Sequence, residues 1–251
     1  MANNNLNIQQ LPFEVLQQIF IFSSNPAFAS VSRLFHYIAN SQTSVKTQWL
    51  LHKFNHDCSK ALYRGLKWRF FNKNILYQLD SIYYQTKCKK DEKGETSDKD
   101  KVISDKDKVI PDKDKIIPYK DRPIPQWFFS VSDPNNVYYE LVKILLDRGA
   151  SPNEPDGYPI IKSAQLGRLK MAELLISFDA KADIKDNMAL IVASKSNNFD
   201  MVKLLLNNDV KADSNALKVA VEKKNWKMAE FLMSKGAIPT PEVVEAFEKN
   251  K

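Results

Sequence analysis

Residues 142–153 read VKILLDRGASPN, and three later segments of the chain repeat this pattern of apolar residues followed by a stop. The later segments are AELLISFDAKAD at 172–183, VKLLLNNDVKAD at 202–213 and AEFLMSKGAIPT at 229–240. Their starts lie 30, 30 and 27 residues apart. Self-similarity at a period of about 20–50 residues is typical of stacked repeat proteins. The sequence therefore predicts an array of similar helical units in this half of the chain.

Each of the four segments carries its apolar residues on one helical stripe and then ends at a residue suited to a left-handed backbone. Gly149 and Gly236 take that conformation at little cost, because glycine has no Cβ atom. In the other two segments the same position holds Asp179 and Asp209, and aspartate tolerates this conformation better than most residues. We therefore predict a helix that stops at each of these four positions.

A shorter helix with a small residue at its centre is predicted before three of the four segments. These helices are PIIKSAQLG around Ala164, ALIVASKSNN around Ala193 and ALKVAVEKKN around Ala220. A small residue at the centre allows two antiparallel helices to approach closely. The whole unit, a short helix, a turn, an apolar helix and a glycine-type stop, resembles the ankyrin repeat with its LLxxGAxxN-type ending.

The resemblance to the ankyrin repeat extends to DGYPIIKSAQLG from Asp156, where Pro159 stands at the proline of the family's Thr-Pro-Leu-His opening. The chain departs from the family in its period, which is shorter than about 33 residues, and in lacking Thr-Pro-Leu-His in every copy. The resemblance implies that a target protein binds to the turn tips and to the exposed sides of the first helices. The residues nominated for target binding are Tyr158, Lys185, Asn187 and Lys218.

Residues 11–39 read LPFEVLQQIFIFSSNPAFASVSRLFHYIA and predict two short amphipathic helices. Pro12 suits the first turn of a helix, and Glu14 complements the positive end of the helix. The second helix is predicted to start at Asn25-Pro26. Two helices of this length bury too little surface to be stable alone, so they require a partner or the residues that follow.

The pattern L-P-x-E-V-L-x-x-I-F followed by V-S-R-x-F resembles the F-box, with fewer residues than usual between Phe22 and Val31. An F-box binds a Skp-type adaptor, which connects it to a cullin ubiquitin ligase. The resemblance implies that Leu11 and Pro12 contact the adaptor directly and that some of the other apolar positions belong to the core instead. The residues assigned to adaptor binding in this way are Leu11, Pro12, Val15, Leu16, Ile19, Phe20, Val31 and Phe35.

Residues 97–124 contain four tandem heptapeptides, SDKDKVI, SDKDKVI, PDKDKII and PYKDRPI. Asp and Lys alternate in each copy, and the later copies carry Pro111, Pro118 and Pro123. A proline costs about 3 kcal/mol in a helix interior. Two adjacent apolar residues per copy bury too little surface to offset the ordering entropy. We therefore predict a disordered linker rather than a specific binding motif.

Residues 61–79, ALYRGLKWRFFNKNILYQL, match residues 216–233, ALKVAVEKKNWKMAEFLM, in the spacing of a helix pair with an aromatic residue at the hinge. We therefore predict a divergent first repeat at 58–84, with the linker inserted within or before the second repeat. The expected fold is all-α, with an F-box-like module followed by an ankyrin-type stack. The expected domains are the F-box-like module at 8–40, a helical region with the divergent repeat at 41–90, the linker at 91–123 and the repeat domain at 124–251.

The net charge of +7 arises between Lys46 and Lys93, where eleven Lys or Arg residues stand against four Asp or Glu residues. Basic residues interleaved with aromatic ones can bind nucleic acid. However, Leu62, Leu66 and Phe70 have the spacing of a helix core, so we interpret this segment as core with a basic outer face. Nucleic acid is therefore not the expected partner.

The sequence carries no nucleophile elbow, phosphate loop or dinucleotide fingerprint. His52, His56 and Cys58 are the one set that invites a zinc site, and we favour boundary side chains instead because two histidines and one cysteine make an incomplete ligand set. Carboxylate pairs fall in the linker or on helix surfaces. We therefore expect a chain that is not an enzyme and holds no cofactor or metal.

The N-terminal residues do not have the pattern of a signal peptide, and no apolar run approaches the ~18 residues of a membrane span. Cys58 and Cys88 are too few for a disulfide scaffold, and we read them as reduced thiols. The expectation is a soluble cytoplasmic or nuclear protein without a membrane partner.

Two functional hypotheses follow from these patterns. In the first, the chain is the substrate-recognition subunit of a Skp/cullin/F-box-type ubiquitin ligase, with the box on the adaptor and the repeats on a target protein. In the second, the chain is an ankyrin-type scaffold that recruits no ligase, and its N-terminal helices are a structural cap.

Overall fold

The computed structural model describes residues 11–23, 25, 27, 33–91, 119–130 and 137–249. The chain divides into two compact units, Met1–Pro118 and Tyr119–Lys251. The helices of the first unit are α1 (Phe13–Ser23), α2 (Arg33–Ser41), α3 (Thr43–Lys53), α4 (Cys58–Gly65) and α5 (Lys73–Asp91). The helices of the second unit are α6 (Trp127–Ser130), α7 (Val137–Asp147), α8 (Tyr158–Gln165), α9 (Leu169–Ser177), α10 (Ile184–Lys195), α11 (Phe199–Leu206), α12 (Ser214–Glu222), α13 (Trp226–Ser234) and α14 (Pro241–Glu248). The described residues thus confirm the predicted all-α fold.

Helix α3 forms the centre of the first unit, because α1, α2, α4 and α5 all pack against it. Its side chains Val45, Trp49 and Leu50 are buried. Leu16 and Phe20 of α1 are buried too, and the rings of Phe20 and Trp49 stack with centroids 6.5 Å apart. The N-terminal helices are therefore held by the residues that follow them, as their short length requires.

The helix pair predicted within 58–84 is present as α4 and α5, which pack against each other. Asp57 caps α4, since its carboxylate accepts a hydrogen bond from the backbone N–H of Lys60 at 3.0 Å. That hydrogen bond lowers the pKa of Asp57. At the hinge, Gly65 lies against Phe71, and a Cβ atom on Gly65 would stand 2.9 Å from the ring. The assignment of this pair as a divergent repeat stays a prediction.

The second unit is a stack in which the inner helices α8, α10 and α12 lie side by side, each packed against the outer helix that follows it. Each inner helix buries two pairs of residues one turn apart, and these pairs recur at the 30- and 27-residue spacing of the sequence. The pairs are Pro159-Ile160 and Ser163-Ala164 in α8, Ala189-Leu190 and Ala193-Ser194 in α10, and Ala216-Leu217 and Ala220-Val221 in α12. The predicted central alanines are all fully buried.

Two of these buried positions are serines, and both satisfy their hydroxyl groups within the helix. Ser163 Oγ donates to the carbonyl oxygen of Pro159 at 2.7 Å, and Ser194 Oγ donates to the carbonyl oxygen of Leu190 at 2.8 Å. A buried hydroxyl without a partner would cost about 1–3 kcal/mol. These bonds therefore allow a small polar residue to occupy a buried position where the inner and outer helices meet.

The predicted helix stops are confirmed at all four positions. Gly149 and Gly236 have φ of 84° and 97°, and Asp179 and Asp209 both have φ of 63°. A left-handed residue after the last turn directs the chain away from the helix axis. Each outer helix, and likewise α7, therefore ends at the same position of its repeat, and a turn follows it.

The fourth heptapeptide, residues 118–124, corrects the predicted end of the linker at residue 123. From Tyr119 onward the chain belongs to the second unit, and Tyr119 and Ile124 are each only 1% exposed. The guanidinium of Arg148 lies 5.8 Å from the centroid of the Tyr119 ring. The first three copies carry Asp where this copy has Tyr119. The tyrosine that anchors the fourth copy in the second unit therefore has no counterpart in the other copies.

Main-chain hydrogen bonds also join the fourth heptapeptide to the residues that follow α7. The N–H of Asp121 donates to the carbonyl oxygen of Gly149 at 2.8 Å, and the N–H of Ser151 donates to the carbonyl oxygen of Arg122 at 2.9 Å. This copy therefore forms the first turn of the stack. Residues 92–118 lie outside the described residues, so a disordered linker there stays a prediction.

Candidate protein-binding surfaces

The outward side of the inner helices forms one candidate surface, which we call the inner-helix face. On α8 and α10 it is apolar and consists of Tyr158, Ile161, Met188, Ile191 and Val192. Met188 is 38% exposed and the other four are half-buried. They occupy the helix positions just before or between the buried pairs, so they point away from the outer helices. On α12 the position equivalent to Ile161 and Ile191 holds Lys218, and the face becomes charged.

The residues predicted to bind a target occupy this face and the turns beside it, but three of the four bond to a neighbouring repeat. Lys185 Nζ lies 3.4 Å from Asp156 Oδ2, and Lys218 Nζ lies 2.8 Å from Glu242 Oε2. Exposed pairs of this kind contribute little to stability. Their positions join neighbouring turns, so they define the edge of the surface. The apolar centre of this face was not predicted; its signal in the sequence is the run of apolar residues outside the buried pairs.

The Lys218–Glu242 pair shifts the titration of both groups. The hydrogen bond from Lys218 lowers the pKa of the Glu242 carboxyl and correspondingly raises the pKa of the Lys218 ammonium. Both groups therefore remain charged around neutral pH, and each neutralises the other at this end of the inner-helix face.

Asn187 belongs to a turn of unusual backbone geometry. Lys185, Asp186 and Asn187 all have left-handed backbones, with φ of 53°, 54° and 60°. A left-handed conformation costs a non-glycine residue about 1–2 kcal/mol. The amide of Asn187 donates to Asp213 Oδ2 at 3.1 Å, and Asp213 also caps α12 through the N–H of Ala216 at 2.8 Å. Bonds to the neighbouring repeat thus hold the turn in place.

The outward side of α1 forms a second candidate surface, which we call the box stripe. It consists of Val15, Ile19 and Phe22 of the helix, together with Leu11 and Pro12, which directly precede it. Val15 and Phe22 are 43% and 62% exposed, Pro12 is exposed, and the other two are half-buried. Val15, Ile19 and Phe22 are spaced by four and three residues, which places them on one face of the helix. An apolar row of this length on an exposed helix face has the form of a docking surface.

The structure divides the eight residues assigned to adaptor binding. Leu11, Pro12, Val15 and Ile19 lie on the box stripe. Leu16, Phe20 and Phe35 are buried at 2%, 6% and 2% exposure, so their assignment to adaptor contact is corrected: they form core around α3. Val31 lies outside the described residues. Periodicity could not separate the two groups, because α1 is apolar on two sides.

The side chains considered for a zinc site do not converge on one point. The rings of His52 and His56 lie edge to face with centroids 6.4 Å apart, and the Cys58 Sγ points toward the carbonyl oxygen of His56 at 3.9 Å. Burial raises the pKa of the Cys58 thiol, which disfavours the thiolate that a metal requires. Across the described part of the chain, no cluster of three or more His, Cys, Asp or Glu side chains has the arrangement of a metal site.

Comparison with protein families gives the class of the second unit. The family described as ankyrin repeats (3 copies) matches residues 129–214 and 161–242. The second unit therefore contains ankyrin repeats, and such repeats are modules for binding other proteins. None of the helices in the described residues is long and apolar enough to cross a bilayer.

A second family match falls at the N-terminus. The family described as the YDR249C N-terminal domain matches residues 9–40. This is the segment that carries the F-box resemblance, and no F-box match accompanies it. Searches among curated proteins and among solved structures gave no significant match.

Proposed function

We propose that the chain is a non-enzymatic adaptor that recognises a target for a Skp/cullin/F-box-type ubiquitin ligase. The observation that carries the proposal is the box stripe, where Pro12 and Val15 are exposed and Leu11 is half-buried although all three side chains are apolar. The same helix buries Leu16 and Phe20 in its own unit. Helix α1 therefore has one face for the core and one apolar face left for a partner.

The division of labour follows from the two surfaces. The box stripe docks on a Skp-type adaptor, and the inner-helix face holds the target protein. The apolar centre of that face, around Met188 and Ile191, provides the buried contact, and the paired charges at its edge provide the polar rim that protein interfaces usually have. The chemistry belongs to the recruited ligase, and this chain supplies proximity.

A second candidate function is an ankyrin scaffold that recruits no ligase. The packing of α1 and α2 on α3 favours this alternative. Because the two helices contribute to the core of their own unit, their presence does not require a binding partner. Under this alternative the box stripe is a tolerated apolar surface.

Co-purification with a Skp-type adaptor distinguishes the two functions. We expect the parent chain to capture the adaptor and the Leu11→Ala/Pro12→Ala variant to lose capture, because truncating a hot-spot residue of an interface costs about 2 kcal/mol or more. Circular dichroism must show that the variant is folded.

A matched control is the Asn74→Ala/Tyr77→Ala variant, which truncates two exposed residues of α5 away from the box stripe. This control should retain capture. Failure of the folded parent to capture the adaptor would remove the ligase proposal and leave the scaffold.

A further inference from the structure

A groove lies between α12, the turn that follows it and α14, at the end of the inner-helix face where Lys218 makes that face charged. Its apolar lining consists of Val221, Trp226, Val243 and Ala246. Its volume is about 270 Å³, whereas pockets for drug-sized ligands have roughly 300–1,000 Å³. The groove therefore suits one or two apolar side chains of a partner better than a whole small molecule.

Packing holds the floor of this groove in place. Val221 and Val243 are 8% and 2% exposed. The half-buried ring of Trp226 lies edge to face with Phe247, with centroids 5.3 Å apart. The groove is thus formed before a partner binds, and a preformed site binds with a smaller loss of conformational entropy.

Two lysines and two glutamates also line the groove, and three of these four residues act on one another. Lys218 Nζ lies 2.8 Å from Glu242 Oε2. The hydrogen bond to Glu242, and to a smaller extent the charge of Glu222, raises the pKa of Lys218. Both carboxylates of the groove therefore act on this one ammonium.

Lys224 is the fourth charged residue of the groove. It is exposed, and no carboxylate of the described residues lies within ion-pair distance of its ammonium. Lys224 therefore remains available to a negative group that enters the groove from outside.

The backbone of Lys224 has a conformation that lysine disfavours. Its φ is 57°, and the equivalent turns after α8 and α10 place Gly167 and Asn197 at this position, with φ of 67° and 55°. Glycine and asparagine are the residue types that adopt a left-handed backbone most readily. The first two turns thus carry residues that fit the backbone, and the third carries a strained lysine.

The three turns are otherwise built in the same way. The backbone N–H groups of Gly167, Asn197 and Lys224 each donate to the carbonyl oxygen three residues earlier, at 3.2, 3.1 and 2.8 Å. The turn itself therefore does not require a lysine. Strained backbone positions are found preferentially where a protein contacts a ligand, and this one lies at the edge of an apolar groove.

We propose that the groove and Lys224 bind a segment of the target protein that carries a large apolar residue beside an Asp or Glu residue. The apolar side chain occupies the groove, and the carboxylate pairs with the Lys224 ammonium. Glu222 and Glu242 repel phosphate groups, which disfavours a nucleic acid at the same place. The inference rests on the proposed function, because it gives the chemistry of the target that the repeats hold.

The test selects peptides on the immobilised full chain from a phage-displayed library of random peptides. Labelled copies of the enriched peptides are then measured by fluorescence anisotropy. The variant is Lys224→Asn, which gives this turn the residue of the turn after α10. No Skp-type adaptor is present, so a failure of this inference and a failure of the ligase proposal are separate results.

The matched control is Lys223→Asn, the same substitution at the preceding residue. Lys223 is exposed, does not line the groove and has an ordinary φ of −86°. It therefore removes the same charge without relieving strain and without changing the groove.

We expect the enriched peptides to share a large apolar residue beside an acidic one. Lys224→Asn should bind them about tenfold more weakly, because a charge-assisted hydrogen bond is lost. The same variant should melt about 2 °C higher than the parent, because asparagine fits the left-handed backbone better. Lys223→Asn should stay within about twofold of the parent in affinity and show no such rise. A residue with a purely structural role would not give higher stability together with weaker binding.

The proposal is overturned if the selection enriches no peptide or if the enriched peptides lack an acidic residue. Equal affinity of Lys224→Asn and the parent for the enriched peptides would also overturn it, as would an equal loss in Lys223→Asn. Replacing the apolar residue of an enriched peptide with serine must abolish binding, since otherwise the groove is not occupied.

Discussion

Replacing Gly157 with alanine is expected to destabilise the ankyrin unit by about 3 kcal/mol. Gly157 has φ of 70° and is buried at the start of α8. A Cβ atom on Gly157 would lie 2.1 Å from Cγ2 of Ile184, well inside any allowed contact. The variant therefore pays for a left-handed alanine and also forces Ile184 or the backbone to move. Urea unfolding followed by circular dichroism measures the loss.

Gly236→Ala is the matched control for this prediction. Gly236 also has a left-handed backbone, at φ of 97°, but a Cβ atom there meets nothing within 4 Å. We expect a loss of only about 1 kcal/mol, from backbone strain alone. Combining Gly157→Ala with Ile184→Ala should cost less than the sum of the single variants, because the second change removes the clashing methyl group. Equal losses for Gly157→Ala and Gly236→Ala would contradict the close packing of Gly157 on Ile184.

Replacing Tyr119 with aspartate is expected to cost the second unit about 3 kcal/mol. The change gives the fourth heptapeptide the residue that the first three carry at this position. It removes a ring that is 1% exposed and places a carboxylate in the same buried site, where the guanidinium of Arg148 offers partial compensation. Thermal unfolding followed by circular dichroism measures the effect.

Tyr119→Phe is the control, because it retains the buried ring. We expect it to cost about 1 kcal/mol or less, the usual contribution of one hydrogen bond. If the aspartate variant were as stable as the parent, Tyr119 would not be the anchor of the fourth heptapeptide, and the boundary of the second unit would have to be placed after residue 124.

The repeat architecture was predictable because its determinants are local. Apolar residues at helical spacing, a small residue where two helices cross and a glycine-like stop each depend on a few adjacent positions. The stops at Asp179 and Asp209 illustrate this, since a residue type with modest tolerance for a left-handed backbone was enough to predict one. The three-residue left-handed turn at 185–187 was not predictable, because it depends on bonds to Asp156 and Asp213 in neighbouring turns.

The fourth heptapeptide was assigned to the linker because its composition matches the three copies before it. Its burial depends on a single difference, Tyr119 in place of Asp, together with main-chain bonds to Gly149 and Ser151. Those two residues lie about thirty positions further along the chain, so the local sequence pattern of the heptapeptide could not predict the bonds to them. The substitution itself was the visible signal.

The box stripe could be predicted only in part, for a related reason. The pattern around Leu11 predicts an amphipathic helix, but α1 has apolar residues on two sides. Which side meets the core depends on α3, and in particular on Trp49, against which Phe20 stacks. The sequence therefore predicted the helix and its apolar residues, and the structure was needed to separate Leu16 and Phe20 in the core from Val15 and Phe22 at the surface.

In the proposed function, the box stripe binds a Skp-type adaptor while the inner-helix face stays available for a target. Hydrogen exchange of the full chain, measured alone and with saturating Skp-type adaptor, tests this proposal. We expect slower exchange across residues 11–23 in the complex and unchanged exchange in α8, α10 and α12. Unchanged exchange across residues 11–23, or protection confined to the inner helices, would contradict it.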